Sequence, residues 1–205
     1  MILFSDTYKE IKTNSKGLYK EKGSKFISYA YRVYSEKEIK NKLNIIKNKE
    51  HSAQHHCYAY VLHPDNSAEK FNDDGEPSST GGKPILQQIK KNNLTNILII
   101  VTRYFGGVKL GIPGLIRSYK TAAKNAIENN TILEKNIKEI YQVYFNYTEM
   151  NNVMQIIKKF QLKIIQKTLL EECNIIFSVR KNIAENVLSL LQENYKIKVK
   201  YINKN

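Results

Sequence analysis

The sequence predicts an α+β chain of two domains, residues 1–130 and 131–205. Three observations lead there. Helix-period and strand-period apolar patterns alternate along the chain, a polar Asn129-Asn130 break follows a long helical pattern, and the run beyond that break reads βαββαβ.

In the first part, strands are predicted near Tyr8 to Lys12 and from Phe26 to Val33. A helix then opens on Ser35-x-x-Glu38, a capping box, and buries Ile39, Leu43 and Ile46 as a stripe. His56 to Leu62 reads as a strand, residues 64–82 as an irregular polar stretch, and Pro84 to Asn92 as a helix. Ile97 to Val101 is almost continuously apolar, the pattern of a central strand covered on both faces. A Gly-rich turn from Gly106 to Gly114 leads into a helix from Leu115 to Asn129.

Beyond the break, Ile140, Tyr141, Val143, Phe145 and Tyr147 mark a strand, and Glu149 to Phe160 has helical spacing. Strand runs follow at Leu162 to Leu169 and Cys173 to Val179. Ile183, Val187, Leu188, Leu190 and Leu191 line one helix face, and Ile197, Val199 and Tyr201 alternate in a last strand. That order is the ferredoxin-like one, with two helices on one face of an antiparallel sheet.

Hydrophobic residues make up 41% of the chain and charged residues 25%, a globular composition rather than a disordered one. No apolar stretch is long enough to span a bilayer and the start has no signal-peptide core, so a cytoplasmic location without membrane contact is expected. The two cysteines, Cys57 and Cys173, form no Cys-x-x-Cys and read as buried, unreactive thiols. The net charge of +14 invites a nucleic-acid partner. It is spread over both domains, however, and only four of the 33 basic residues are arginine, in a chain rich in Asn and Ile, so part of it is codon bias.

Three clusters carry the candidate chemistry. In Asp73-Asp74-Gly75-Glu76-Pro77-Ser78-Ser79-Thr80-Gly81-Gly82-Lys83-Pro84, carboxylates and hydroxyls held among glycines either supply a general base or cation ligands, or cap the next helix. A P-loop is excluded by Pro77 and Pro84, and an EF-hand by Gly75 and Pro77. The second cluster runs from Thr102 to Arg117. Gly106 and Gly107 allow close backbone approach, the helix start offers free N–H groups, and Arg103, Lys109 and Arg117, with Lys83 from the first loop, add positive charge for an anion or nucleic acid. The structural alternative is a tight crossover whose arginines pair with the acidic loop. The third cluster, His51 with His55-His56-Cys57, lacks the spacing of a zinc site, because adjacent strand residues face opposite sides. One histidine of the cluster reaching the acidic loop as a hydrogen-bond partner, or an ordinary strand histidine, are the readings left. Neither a metal nor a cofactor is expected.

Ala53-Gln54-His55-His56-Cys57-Tyr58-Ala59-Tyr60, then Asp73 to Pro77 with Thr80, Gly82 and Pro84, then Arg103 to Gly107 with Leu110-Gly111, Gly114-Leu115 and Tyr119 resemble, in order and spacing, the signature blocks of the Impact/YigZ family. The resemblance implies an N-terminal α/β domain similar to the second domain of a small-subunit ribosomal protein. It also implies a C-terminal ferredoxin-like domain similar to the last domain of elongation factor G. Eukaryotic relatives modulate a kinase pathway that represses translation through an extra activator-binding domain, which is not expected here. Bacterial members look translation-associated or RNA-binding. Two departures stand out: Ser79 replaces a common glycine, and Pro113 sits where glycine is common.

Two functions are therefore expected. The first is a translation-associated protein that binds RNA or the ribosome through the basic Gly-rich loop. The alternative is an enzyme on a small anionic substrate, with Asp73, Asp74 or Glu76 as general base or metal ligand, His55 assisting, and Arg103 and Arg117 neutralising the substrate.

Overall fold

The computed structural model describes residues 6–204, which form two compact α+β units. One is Tyr8–Lys135; the other combines residues 6–7 with residues 136–204. No helix among the described residues is long and apolar enough to cross a membrane.

In Tyr8–Lys135 the elements run β1 (Thr7–Ile11), β2 (Ser15–Glu21), β3 (Ser24–Arg32), α1 (Glu36–Lys49), β4 (His55–Leu62), β5 (Ala68–Asn72), α2 (Gly82–Lys91), β6 (Ile97–Tyr104), α3 (Gly111–Glu128) and β7 (Ile132–Asn136). Five of the strands form one antiparallel sheet in the order β2-β3-β6-β4-β5. The apolar run of β6 behaves as its pattern requires. Ile97, Ile99 and Val101 enter the core shared with α2 and α3, whereas Leu98 and Ile100 enter the core shared with Ile39 and Ile46 of α1. All five are fully buried, and at about 1.5–3 kcal/mol for each such side chain they fix the strand whose last turn carries Arg103.

Three strands escape the sequence pattern, for one physical reason. β2 and β5 are edge strands, β5 mostly exposed and β2 mixing exposed and half-buried residues, and among the described residues β7 pairs with β1 alone, so none of them needs an alternating apolar face. β5 forms inside the stretch expected to be irregular, by backbone pairing with β4 from Tyr58↔Asn72 to Leu62↔Ala68. The division between units falls after Lys135 because β7 returns to β1, where the fully buried Glu10 carboxylate takes Lys135, Arg32 and the Tyr34 hydroxyl. α1 is capped by Ser35 Oγ, which accepts from Glu38 N at 3.3 Å, but the Glu38 carboxylate reaches Tyr34 N rather than completing the capping box on Ser35.

The other unit runs β8 (Lys138–Asn146), α4 (Met150–Lys159), β9 (Lys163–Thr168), β10 (Glu172–Arg180), α5 (Lys181–Gln192) and β11 (Lys198–Lys204). Its antiparallel sheet has the order β11-β8-β10-β9, the ferredoxin-like arrangement. Val143, Phe145, Ile175 and Phe177 of the sheet pack with Val153 and Ile157 of α4 and with Val187 and Leu191 of α5. Asp6 belongs to this unit, held by both Nε and Nη2 of Arg180.

Candidate functional site

The end of the five-stranded sheet sets the site. Register places Arg103 of β6 opposite His55 of β4 on one side and opposite Phe26 of β3 on the other. Side chains alternate along a strand, so these three point to the same face as Cys57 and Val101, the face covered by α2 and α3.

Arg103 is 7% exposed, and its Nη1 donates to Glu76 Oε1 at 2.7 Å. The same Glu76 oxygen accepts from the Tyr119 hydroxyl of α3 at 2.8 Å. Burial pushes the Tyr119 phenol far above its ordinary range, so it stays a donor. The ring centres of Phe26 and Phe105 lie 5.7 and 5.6 Å from the guanidinium carbon, within cation–π range. Among the described residues Arg103 Nε is buried and has no hydrogen-bond partner. His55 Nδ1 lies 2.8 Å from the Asp74 carbonyl oxygen. A carbonyl only accepts, so Nδ1 carries the proton and donates, and in the neutral ring Nε2 is left as an acceptor, 4.0 Å from Glu76 Oε1.

Arg103, Glu76 and His55 line a pocket of about 460 Å³, together with Gln54, Pro77, Phe105, Lys109, Leu110, Gly111, Ile112 and Leu115. The start of α3 forms part of its wall, and no side chain caps that helix end. Pro113 falls within the first turn of α3, where its missing N–H costs no helical hydrogen bond. The helix therefore begins at Gly111, four residues before the expected Leu115.

The other acidic residues serve the backbone. Asp73 Oδ1 accepts from Gly81 N at 2.9 Å and Gly82 N at 2.8 Å, and Oδ2 accepts from Ser79 N at 2.9 Å. It thus caps α2, whose own Gly81 has no side chain to do so. Asp74 Oδ2 accepts from His56 N at 2.7 Å, and its Oδ1 is 3.5 Å from Lys47 Nζ. Cys57, buried with its thiol pushed up by desolvation, donates to the Asp73 carbonyl at 2.9 Å. Neither Asp73 nor Asp74 lines the pocket, whereas Glu76 and His55 do. Among the described residues no group of three or more His, Cys, Asp and Glu is placed to hold a metal ion.

The basic residues separate similarly. Arg103 and Lys109 line the pocket; Arg117 and Lys83 do not. Arg117 is exposed and donates to Glu21 at 3.0 Å rather than to the acidic loop. Gly107 has φ +86° and open space around it. Gly106 answers a different need: a side chain there would collide with Gly23, which turns β2 into β3, and Gly106 N donates to Ser24 Oγ at 3.1 Å. Two backbones meet there, and the contact brings Lys22 and Lys25 beside the Gly-rich loop, where Lys25 Nζ stands 5.9 Å from the Tyr104 ring centre.

Gln54, Phe105, Ile112, Leu115 and Tyr119 are site residues that the charge-based reading passed over. Tyr119 had a signal, since it stands one helical turn after Leu115 on the buried face of α3. Ser79 has φ +64°, a conformation costly for any residue with a Cβ. Ser79→Gly is expected to raise the unfolding free energy by about 0.5–1 kcal/mol, the relief of that strain less the extra chain entropy of glycine. Urea unfolding of both forms measures it, and a loss of stability would show that the turn is not strained.

Residues 22–127 match the model of the Impact N-terminal domain. The chain is 36% identical over 138 residues to the IMPACT family member YvyE of Bacillus subtilis, covering 67% of this chain and 64% of that protein. It is 30% identical over 177 residues to an IMPACT family member of Haemophilus influenzae, covering 84% of each. To the IMPACT family member YigZ of Escherichia coli it is 31% identical over 146 residues, covering 70% of this chain and 72% of that one. A crystal structure of a hypothetical protein shares the fold, with a TM-score of 0.71 at 23% identity over 98% of this chain and 99% of that chain. With Gln54, His55, Glu76, Arg103 and Leu115 of the signature blocks on the wall of one pocket and the Impact model matched over half its length, this chain belongs to the IMPACT family.

Proposed function

We infer that this protein acts in the setting of translation by binding RNA, on the ribosome or near it, through a basic rim at the end of the five-stranded sheet. The observation that carries this reading is the Gly23–Gly106 approach, which sets the β2–β3 turn against the Gly-rich loop. Exposed Lys22 and Lys25 flank Gly23 in that turn, exposed Lys109 follows Gly106 in the loop, and exposed Arg117 of α3 is tied to the end of β2 by its ion pair with Glu21. Cations clustered on one edge release counterions from a phosphate backbone, which diffuse charge does not do as effectively. Membership of the IMPACT family and the net charge of +14 support the same reading.

The test is the salt dependence of binding by the full chain to a ribosomal RNA fragment. Lys25→Ala, Lys109→Ala and Arg117→Ala are each expected to flatten the log-log slope by about one. Unchanged slopes in all three would remove the rim from consideration.

A second reading, chemistry on a small substrate, is favoured by one observation. The pocket brings the free Nε2 of His55 within 4.0 Å of Glu76 and beside Arg103, the arrangement of a proton acceptor next to an anion anchor. In that reading Asp73 and Asp74 support the loop, and Glu76 and His55 are the residues at the substrate.

A further inference from the structure

The geometry points to a ligand site for a small organic anion that shares only Lys109 with the proposed RNA rim: the phosphate or carboxylate sits at Arg103 and the start of α3, and a flat apolar body lies between Phe105 and Ile112. This assignment requires neither RNA binding nor catalysis.

The argument begins with what Arg103 leaves undone. A guanidinium has five N–H donors in a fixed fork, and the hydrogen bond from Nη1 to Glu76 uses one edge of it. Nε, on another edge, is buried without a partner among the described residues, although buried donors are nearly always satisfied. A carboxylate or phosphate taken bidentately by Nε and the neighbouring Nη2 is the usual complement of such an edge. Glu76 balances the arginine charge, and its carboxylate also stands near His55 in the pocket wall, so the guanidinium alone gives no net attraction. Two further positive features do. α3 is an 18-residue helix whose N-terminus, at Gly111 and Ile112 in the same pocket, has no side-chain cap, so its first N–H groups and the positive end of its dipole remain open. Lys109 lines the pocket as well, and no acidic partner falls within ion-pair distance of it among the described residues.

The apolar component selects against bare inorganic ions. Phe105 is 47% exposed and Ile112 58% exposed, both on the pocket wall, with Leu110 and Leu115 behind them. Such surface is favourable to cover with an apolar group. The volume of about 460 Å³ lies within the usual range for small-molecule sites and is too large for a lone phosphate.

The experiment is isothermal titration of the full chain at fixed ionic strength with phenyl phosphate, benzoate, inorganic phosphate and phenol. Phenyl phosphate or benzoate is expected to bind at least tenfold more tightly than either inorganic phosphate or phenol, and whichever of the two wins identifies the anionic group. Two variants locate the site. Arg103→Lys keeps a cation for Glu76 but loses the fork, and Ile112→Glu puts a carboxylate on an exposed position at the pocket wall without touching the core. Both are expected to weaken the winning anion at least tenfold, with circular dichroism and unfolding midpoints confirming a folded protein. The assignment fails if inorganic phosphate or phenol binds as tightly as the aromatic anions, if none of the four binds, or if Ile112→Glu binds like the parent. RNA slopes lost with Lys25→Ala while anion binding persists would separate this site from the rim.

Discussion

Glu76→Ala is expected to destabilise the Tyr8–Lys135 unit by about 3–5 kcal/mol, the usual cost of stranding one member of a buried ion pair. The reason lies in what remains. Arg103 keeps its guanidinium charge in a place where only 8% of its side chain reaches solvent, and the Tyr119 hydroxyl loses its acceptor at the same time. Glu76→Gln supplies a neutral acceptor of the same shape for both donors, so its loss is expected to be smaller than that of the alanine variant. Urea unfolding of the three forms reads the difference. A deficit below about 1 kcal/mol for the alanine variant, the scale of an exposed pair, would mean that Arg103 turns outward when released.

Asp73→Ala is the second large effect, expected near 3 kcal/mol. A single lost N-cap costs at most about 2 kcal/mol and a hydrogen bond to a charged group about 1.5–3 kcal/mol. Here one carboxylate serves Ser79, Gly81 and Gly82 together. Part of the loss is recovered by water, because Asp73 is only half-buried. Asp73→Asn keeps one carbonyl oxygen and is expected to fall between the two. Thermal unfolding checks the order; equal midpoints for all three proteins would remove the capping role and return Asp73 to the list of groups free for chemistry.

Much of the fold was legible because burial writes itself into sequence. The ferredoxin-like unit came out element by element, since most of its strands alternate and each helix has one apolar face. The edge strands β2 and β5 were silent for the opposite reason: a strand with few fully buried side chains is held by backbone hydrogen bonds, which every residue type except proline can supply. Within the site, residue types were readable and partnerships were not. The loops around Asp73 and Arg103 stood out by their chemistry, but nothing local says that Glu76 would take Arg103 while Asp73 faces the backbone of α2. Gly106 is the sharpest case. Its freedom suggested ligand approach, and the structure spends that freedom on Gly23, a residue far away in sequence that no local pattern could pair with it.

The capping of α2 has one more implication. The helix borrows its N-terminal acceptor from Asp73, across the whole acidic loop, rather than from the residue at its own start. Such a helix has no independent beginning: as a separate ten-residue segment it would fall below the length at which helices persist in water. Opening of the acidic loop and fraying of α2 are then one event, not two. Any molecule that grips Glu76 or Pro77 from the pocket side holds the helix as well, and its occupancy becomes readable in the exchange protection of amides that it never touches.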